Sequence, residues 1–174
     1  MLNKILVAID LCNPNKTFDA ALSLAQIAGA KLMLLNVIAP DENNYPNPFV
    51  YSSYEYGLMN ESLLAVYQEQ WDLFKQRGLK ILRSLVEEAA AVGVEAESIQ
   101  EFGNPGCTIC ELAQTYSTDL IIVGSRGLTG VREMFLGSVS NYVTHHAPCS
   151  VLILRETKNS QLSATQPIST ASIS

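Results

Sequence analysis

Four runs in this chain are apolar almost without alternation: residues 4–9 (KILVAI), 31–38 (KLMLLNVI), 119–124 (DLIIVG) and 149–154 (CSVLIL). A strand with one face in water alternates apolar and polar side chains, so runs like these read as strands buried on both faces. Between them the period changes. Phe18, Ala21, Leu22, Ala25 and Ala28 recur at helical spacing, and Gly29 stands where a helix C-cap is expected. Alternating strands and helices of this kind define an α/β fold, a parallel sheet with helices on both faces and right-handed crossovers.

The remaining elements follow from the same reading. Residues 60–92 carry Leu64, Tyr67, Trp71, Phe74, Leu82, Leu85, Ala89 and Val92 at helical spacing. That is long for a globular helix, and Gly78 marks the place for a kink or break. Residues 96–102 (AESIQEF) form a third, more polar strand. Asn104-Pro105 opens a helix to about residue 116, because proline suits a first turn. A helix is expected at 138–146, and the four apolar runs with residues 96–102 give five strands. Residues 39–57 hold three prolines and four tyrosines and read as a long loop. Its tyrosines are expected to pack on the surface, the alternatives being a lid or a dimer contact. The domain is expected to span residues 1–155, with 156–174 a flexible Ser/Thr-rich tail.

Composition narrows the partners. A net charge of −6 argues against a nucleic-acid backbone, which usually meets a basic face. No apolar stretch reaches the length of about 18 residues that marks a membrane span. The start, MLNKILVAID, lacks a secretory pattern, so the expected location is cytoplasmic. Cys107 and Cys110 make a C-x-x-C, but Cys110 spaces with Leu112 and Ala113 on a helical apolar face, and packing is the expected role.

Chemistry concentrates after the fourth strand, where Gly124, Gly127, Gly130 and Gly137 fall within 14 residues. In open parallel sheets the ligand crevice lies at the carboxyl ends of the strands, where strand order reverses. A helix opening near Gly137-Ser138 would aim its unpaired amides there, a setting suited to phosphate. Ser138 and Ser140 could add hydroxyl donors and Arg126 a cation, while Ser138 could equally be a plain N-cap. Two common phosphate loops fail. No lysine follows Gly137, as a P-loop requires, and Gly124 and Gly127 are too far apart for G-x-G-x-x-G.

The spacing present is G-x-x-G, nine residues, then G-S: Gly124, Gly127, Gly137, Ser138. With VGSRGLTG followed by LGSVSNYVTHHAPCSVLIL, and with ILVAID, KLMLLNVI and GNPGCTICELAQ upstream, the chain resembles the ATP-binding branch of the universal stress protein family. The resemblance implies a flavodoxin-like or Rossmann-like five-stranded sheet, bound ATP, and a homodimer formed through the last strand. Carried onto this chain, it implies that Ala8, Ile9 and Asp10 border the adenosine and that the Val37 main chain meets the adenine edge. Gly124 and Arg126 would lie along the ribose and first phosphate, and Gly127, Gly137, Ser138, Val139 and Ser140 around the phosphates. Asp10 could also be only a turn residue. A Mg2+ or Mn2+ ion would arrive with the phosphates rather than in a protein cage. The expected function is a cytosolic regulatory or stress-response protein that holds ATP or AMP, not an enzyme. Glu133 lies in the loop with its direction open, and His145-His146 belong to the far end of their helix. The alternative is slow ATP hydrolysis on the same fold.

Overall fold

Each apolar run becomes a strand in the computed structural model of the chain, which describes residues 1–39, 61–125 and 136–155. In order, the elements are β1 (Lys4–Ala8), α1 (Pro14–Ala28), β2 (Lys31–Ile38), α2 (Glu61–Ala91), β3 (Ala96–Phe102), α3 (Pro105–Thr115), β4 (Leu120–Gly124), α4 (Ser138–His146) and β5 (Ser150–Leu154). The strands form one sheet in the order β3-β2-β1-β4-β5, and every neighbouring pair is parallel. The expected loop at 39–57 falls, beyond Ala39, outside the described residues, as does the tail at 156–174.

Burial on both faces explains the unalternated runs. Ile5 and Val7 of β1 and Leu32 and Leu34 of β2 meet Phe18, Ala21 and Ala25 of α1 and Leu82, Leu85 and Ala89 of α2. On the opposite face Leu6, Leu35 and Val37 meet Ile109 and Ala113 of α3 and Val143 of α4. Successive residues of a strand point to opposite faces, so each run supplies both cores. The more polar β3 is an edge strand, and its Glu97 and Ser98 are exposed.

Local signals set the helix ends. Pro14 sits in the first turn of α1, and Gly29 takes the left-handed conformation (φ 68°) while its N–H bonds the Ala25 carbonyl. Asn104 caps α3, its side-chain oxygen accepting the Cys107 N–H at 3.3 Å. One expectation needs correction: α2 runs unbroken through Gly78. Gly78 is buried there, and a Cβ at that position would overlap the Gln100 side-chain nitrogen and come within 3.0 Å of a Leu11 methyl. The glycine makes room for neighbours rather than breaking the helix. The four cysteines are free thiols, and burial, followed by the nearness of Cys107 and Cys149, pushes the Cys110 thiol above its ordinary pKa. A thiol held protonated suits packing, not redox exchange.

β4 begins one residue later than the apolar run because Asp119 has another task. Its carboxylate accepts the main-chain N–H groups of Asn3 (2.7 Å) and Lys4 (3.0 Å), joining the starts of β1 and β4. Those two bonds, led by Asn3, hold its pKa below the ordinary carboxylate value. A depressed folded-state pKa stabilises fully above the unfolded carboxylate value of about 3.9 and is lost as pH falls through the folded value. Asp119→Asn is therefore expected to lower the urea midpoint at pH 7, with the gap to the parent closing below about pH 4. A gap of constant size across that range would contradict the assignment.

Candidate functional site

β1 lies between β2 and β4, and the chain leaves these strands toward opposite faces. From β1 it passes into α1, which packs on the first core; α4 packs beside α3 on the second. The cleft between the carboxyl ends of β1 and β4 is thus the topological switch point, where ligands bind in sheets of this class. Only three residues join α4 to β5, which starts at the amino edge of the sheet, so the N-terminus of α4 lies at the carboxyl edge.

Ala8 ends β1, and its carbonyl accepts the Thr17 hydroxyl at 3.3 Å. Ile9 is buried, and its N–H reaches the Leu35 carbonyl at 2.8 Å. Asp10 turns the chain: its Oδ1 accepts the Cys12 N–H (3.0 Å) and its carbonyl accepts the Asn13 N–H (3.1 Å). The turn role weighed for Asp10 is therefore present, and it fixes the carboxylate at the mouth of the cleft. Gly124 ends β4 beside this turn, and a Cβ on it would touch a Thr17 methyl at 3.4 Å.

On β2, the Val37 side chain is buried in the second core. Main-chain groups of a strand address its two neighbours alternately. Leu35 bonds Ile9 on the β1 side and Ile38 bonds Gly103 on the β3 side, so the N–H and C=O of Val37 point toward β1. β1 has ended by then, and the Val37 main-chain edge opens on the cleft.

Gly137, not Ser138, is the N-cap of α4, with φ −58° and ψ 157°. Ser138 is the first helical residue, so the N-cap role weighed for it passes to its neighbour. The first intrahelical bond runs from Asn141 N–H to the Gly137 carbonyl at 2.9 Å, which leaves the amides of Ser138, Val139 and Ser140 ahead of the ladder. The expected hydroxyl donors differ from each other. Ser138 is exposed, whereas Ser140 is only 1% exposed and its hydroxyl donates to the Gly137 carbonyl at 3.0 Å. As placed, Ser140 braces the helix start from within. Arg126, Gly127, Gly130 and Glu133 lie outside the described residues.

Two side chains that sequence reading passed over help to build the floor of this site. Thr17 joins α1 to β1 and packs under Gly124. Asn36 is a buried amide inside an otherwise apolar strand, donating to the Ile9 carbonyl at 3.2 Å and accepting from Gln100 Nε2 at 3.1 Å. A polar residue in such a run was the available signal, since a buried amide requires partners.

The open parallel sheet, its switch point and the helix start beside it define a doubly wound α/β protein. The universal stress protein family model matches residues 1–155. The chain is 38% identical over 160 residues to the universal stress protein YxiE of Bacillus subtilis, covering 89% of this chain and 100% of that one. It is 35% identical over 153 residues to the universal stress protein Sll1388 of Synechocystis, covering 87% and 97% respectively. The chain belongs to the universal stress protein family.

Solved structures share the fold. The universal stress protein UspA from Lactobacillus plantarum superimposes with a TM-score of 0.66 at 24% identity, over 88% of this chain and 97% of that one. A universal stress protein family protein from Arabidopsis thaliana with AMP bound gives 0.58 at 23% identity, over 93% and 97%. A universal stress protein in complex with cAMP gives 0.57 at 24% identity, over 88% and 97%. Among the described residues, no helix is long and apolar enough to cross a membrane.

Proposed function

We propose that this chain binds an adenine nucleotide, ATP or AMP, between the carboxyl ends of β1 and β4, and acts as a regulatory or stress-response protein rather than an enzyme. The observation that carries the reading is the juxtaposition at one switch point of the Asp10 turn, the open main-chain edge of Val37 and the leading amides of α4. A helix start carries roughly half a positive charge, which suits a phosphate. A main-chain edge can pair with a planar base. The AMP-bound and cAMP-bound neighbours support an adenine ligand on this fold. Arg126 and Gly127, in the G-x-x-G spacing, are assigned to the phosphates by the family motif.

The placement of two of the ionisable groups supports binding without efficient turnover. His145 and His146 sit at the opposite end of α4 from the phosphate-facing amides, about 10 Å along a helix rising about 1.5 Å per residue. A Mg2+ or Mn2+ ion accompanying ATP would be held by the phosphates themselves.

The dimer is assigned to β5. Of the two edge strands, β3 carries Glu97 and Glu101, charges that discourage pairing, whereas β5 (SVLIL) has none and exposes Leu152.

Calorimetric titration with ATP plus Mg2+ and with AMP tests the central claim, with sedimentation of the same sample reading its assembly. Saturable binding near one nucleotide per chain is expected, with phosphate release too slow for repeated turnover. Gly137→Val is expected to abolish binding while the urea midpoint stays close to the parent. Its φ and ψ lie where any L-residue is comfortable, so the valine acts through bulk at the helix mouth. Unchanged affinity in that variant would remove the site, and rapid multiple turnover would replace the sensor by an enzyme.

A further inference from the structure

The carboxyl end of β2 holds a polar arrangement that neither the family motif nor the glycine stretch explains. Asn36 is 6% exposed and faces the first core with Leu32 and Leu34. An unpaired buried amide is costly, and this one is satisfied at both ends, by the Ile9 carbonyl and by Gln100 Nε2. Gln100 stands directly across from it on β3. Above Gln100 the missing Cβ of Gly78 leaves room for the Gln100 amide and for Leu11, which lies within the Asp10 turn. β3, with α2 behind it, thus backs the one side chain that bonds the carbonyl just past the end of β1.

That carbonyl is where the β1–β2 ladder would go next. The ladder is built of N–H groups of one strand bonding carbonyls of the other, and among the described residues its last bond is Ile9 N–H to the Leu35 carbonyl. In a continued parallel ladder the following bond would run from Val37 N–H to the Ile9 carbonyl. The Asn36 side chain bonds that acceptor instead, at 3.2 Å. We propose that Asn36, held by Gln100 under Gly78, is a positioning residue that ends the β1–β2 ladder at Ile9 and keeps the Val37 N–H open to the cleft. The consequence for ligand affinity rests on the adenine-nucleotide reading; the ladder-ending role does not. A side chain in the core thereby decides whether a main-chain donor serves the sheet or the ligand.

Amide hydrogen exchange in nucleotide-free protein tests the role directly. Asn36→Leu keeps nearly the same shape but gives Ile9 no side-chain donor. The Val37 amide is expected to exchange at least about tenfold more slowly in this variant, because the ladder gains a bond. A residue that merely stabilised the core would leave Val37 exchange unchanged or make it faster, and either result overturns the proposal. Asn36→Ser, polar but too short to reach Ile9, is the second variant should the leucine fail to fold, with the same expectation. Gly78→Ala, which displaces Gln100 without touching β2, is expected to shift Val37 exchange in the same direction by a smaller factor.

Calorimetry on the same samples reads the ligand side. Where the parent binds AMP or ATP, Asn36→Leu is expected to weaken binding about tenfold, the worth of one hydrogen bond. Unchanged affinity with a slowed Val37 amide would overturn the assignment of Val37 to the ligand. A parent that binds neither nucleotide would defeat the proposed function alone, leaving exchange to decide the ladder-ending role.

Discussion

Phe18→Ala is expected to lower the unfolding free energy by about 3–5 kcal/mol, the usual cost of emptying an aromatic site in a packed core. Phe18 is fully buried on α1, in the cluster that includes Ile5, Val7, Leu32, Leu34, Leu82 and Ile122. Those neighbours come from three strands and a second helix, so no single element can collapse into the void. The loss combines lost transfer energy with a cavity the sheet cannot close. Urea unfolding reads it as a lower midpoint at unchanged slope, and Phe18→Leu should lose much less. A loss under about 1 kcal/mol would mean that α1 does not seat on the sheet as described.

Gly106→Val acts on the other face and reaches the site. Gly106 is buried in the first turn of α3, and a Cβ there would stand 2.8 Å from Tyr142 Cδ1, 2.9 Å from its Cγ and 3.0 Å from its Cβ. These atoms are the root of the side chain and cannot swing away as a flexible tip could. The ring is also held by stacking on His146, with centroids 4.0 Å apart. Relief therefore requires α4 to move off α3, and Ser138, one turn before Tyr142, moves with it. Overpacking of this kind costs about 1–3 kcal/mol. The larger expected effect is loss of measurable nucleotide binding in protein that is still folded, by calorimetry well below the urea midpoint. Tyr142→Ala added to the same chain should restore much of the binding, because the two closest contacts, those to Cγ and Cδ1, are gone and only the Cβ contact at 3.0 Å remains. Full affinity in Gly106→Val would separate the position of α4 from phosphate recognition.

Much of this architecture is legible from neighbours along the chain. The unalternated runs announce burial on both faces, and β2 and β3 have the bounds that the pattern implies. Gly29 and Asn104 end and begin helices through their own conformational and hydrogen-bonding preferences. Gly78 was misleading for a physical reason. A glycine inside a helix usually signals a weak point, but here the overlap a Cβ would make with Gln100 decides the residue, and nothing near Gly78 in sequence reveals Gln100. The same holds at the site. The glycine spacing points to the fourth strand and the helix after it, whereas the brace of Ser140 on Gly137, the N-cap at Gly137 and the floor built by Thr17 required coordinates.

The amino-acid order by itself determined the period of each segment, the faces that must be buried and the helix ends, because these depend on residues within about one turn or one strand of each other. Tertiary structure alone decided that β4 lies against β1, pairing Ile5 with Leu120, and so which loops share a cleft. It also decided that Asn36 meets Ile9 and Gln100. Contacts between residues so far apart depend on which packing of the whole sheet buries the most apolar surface without orphaning polar groups, a choice that no local pattern encodes.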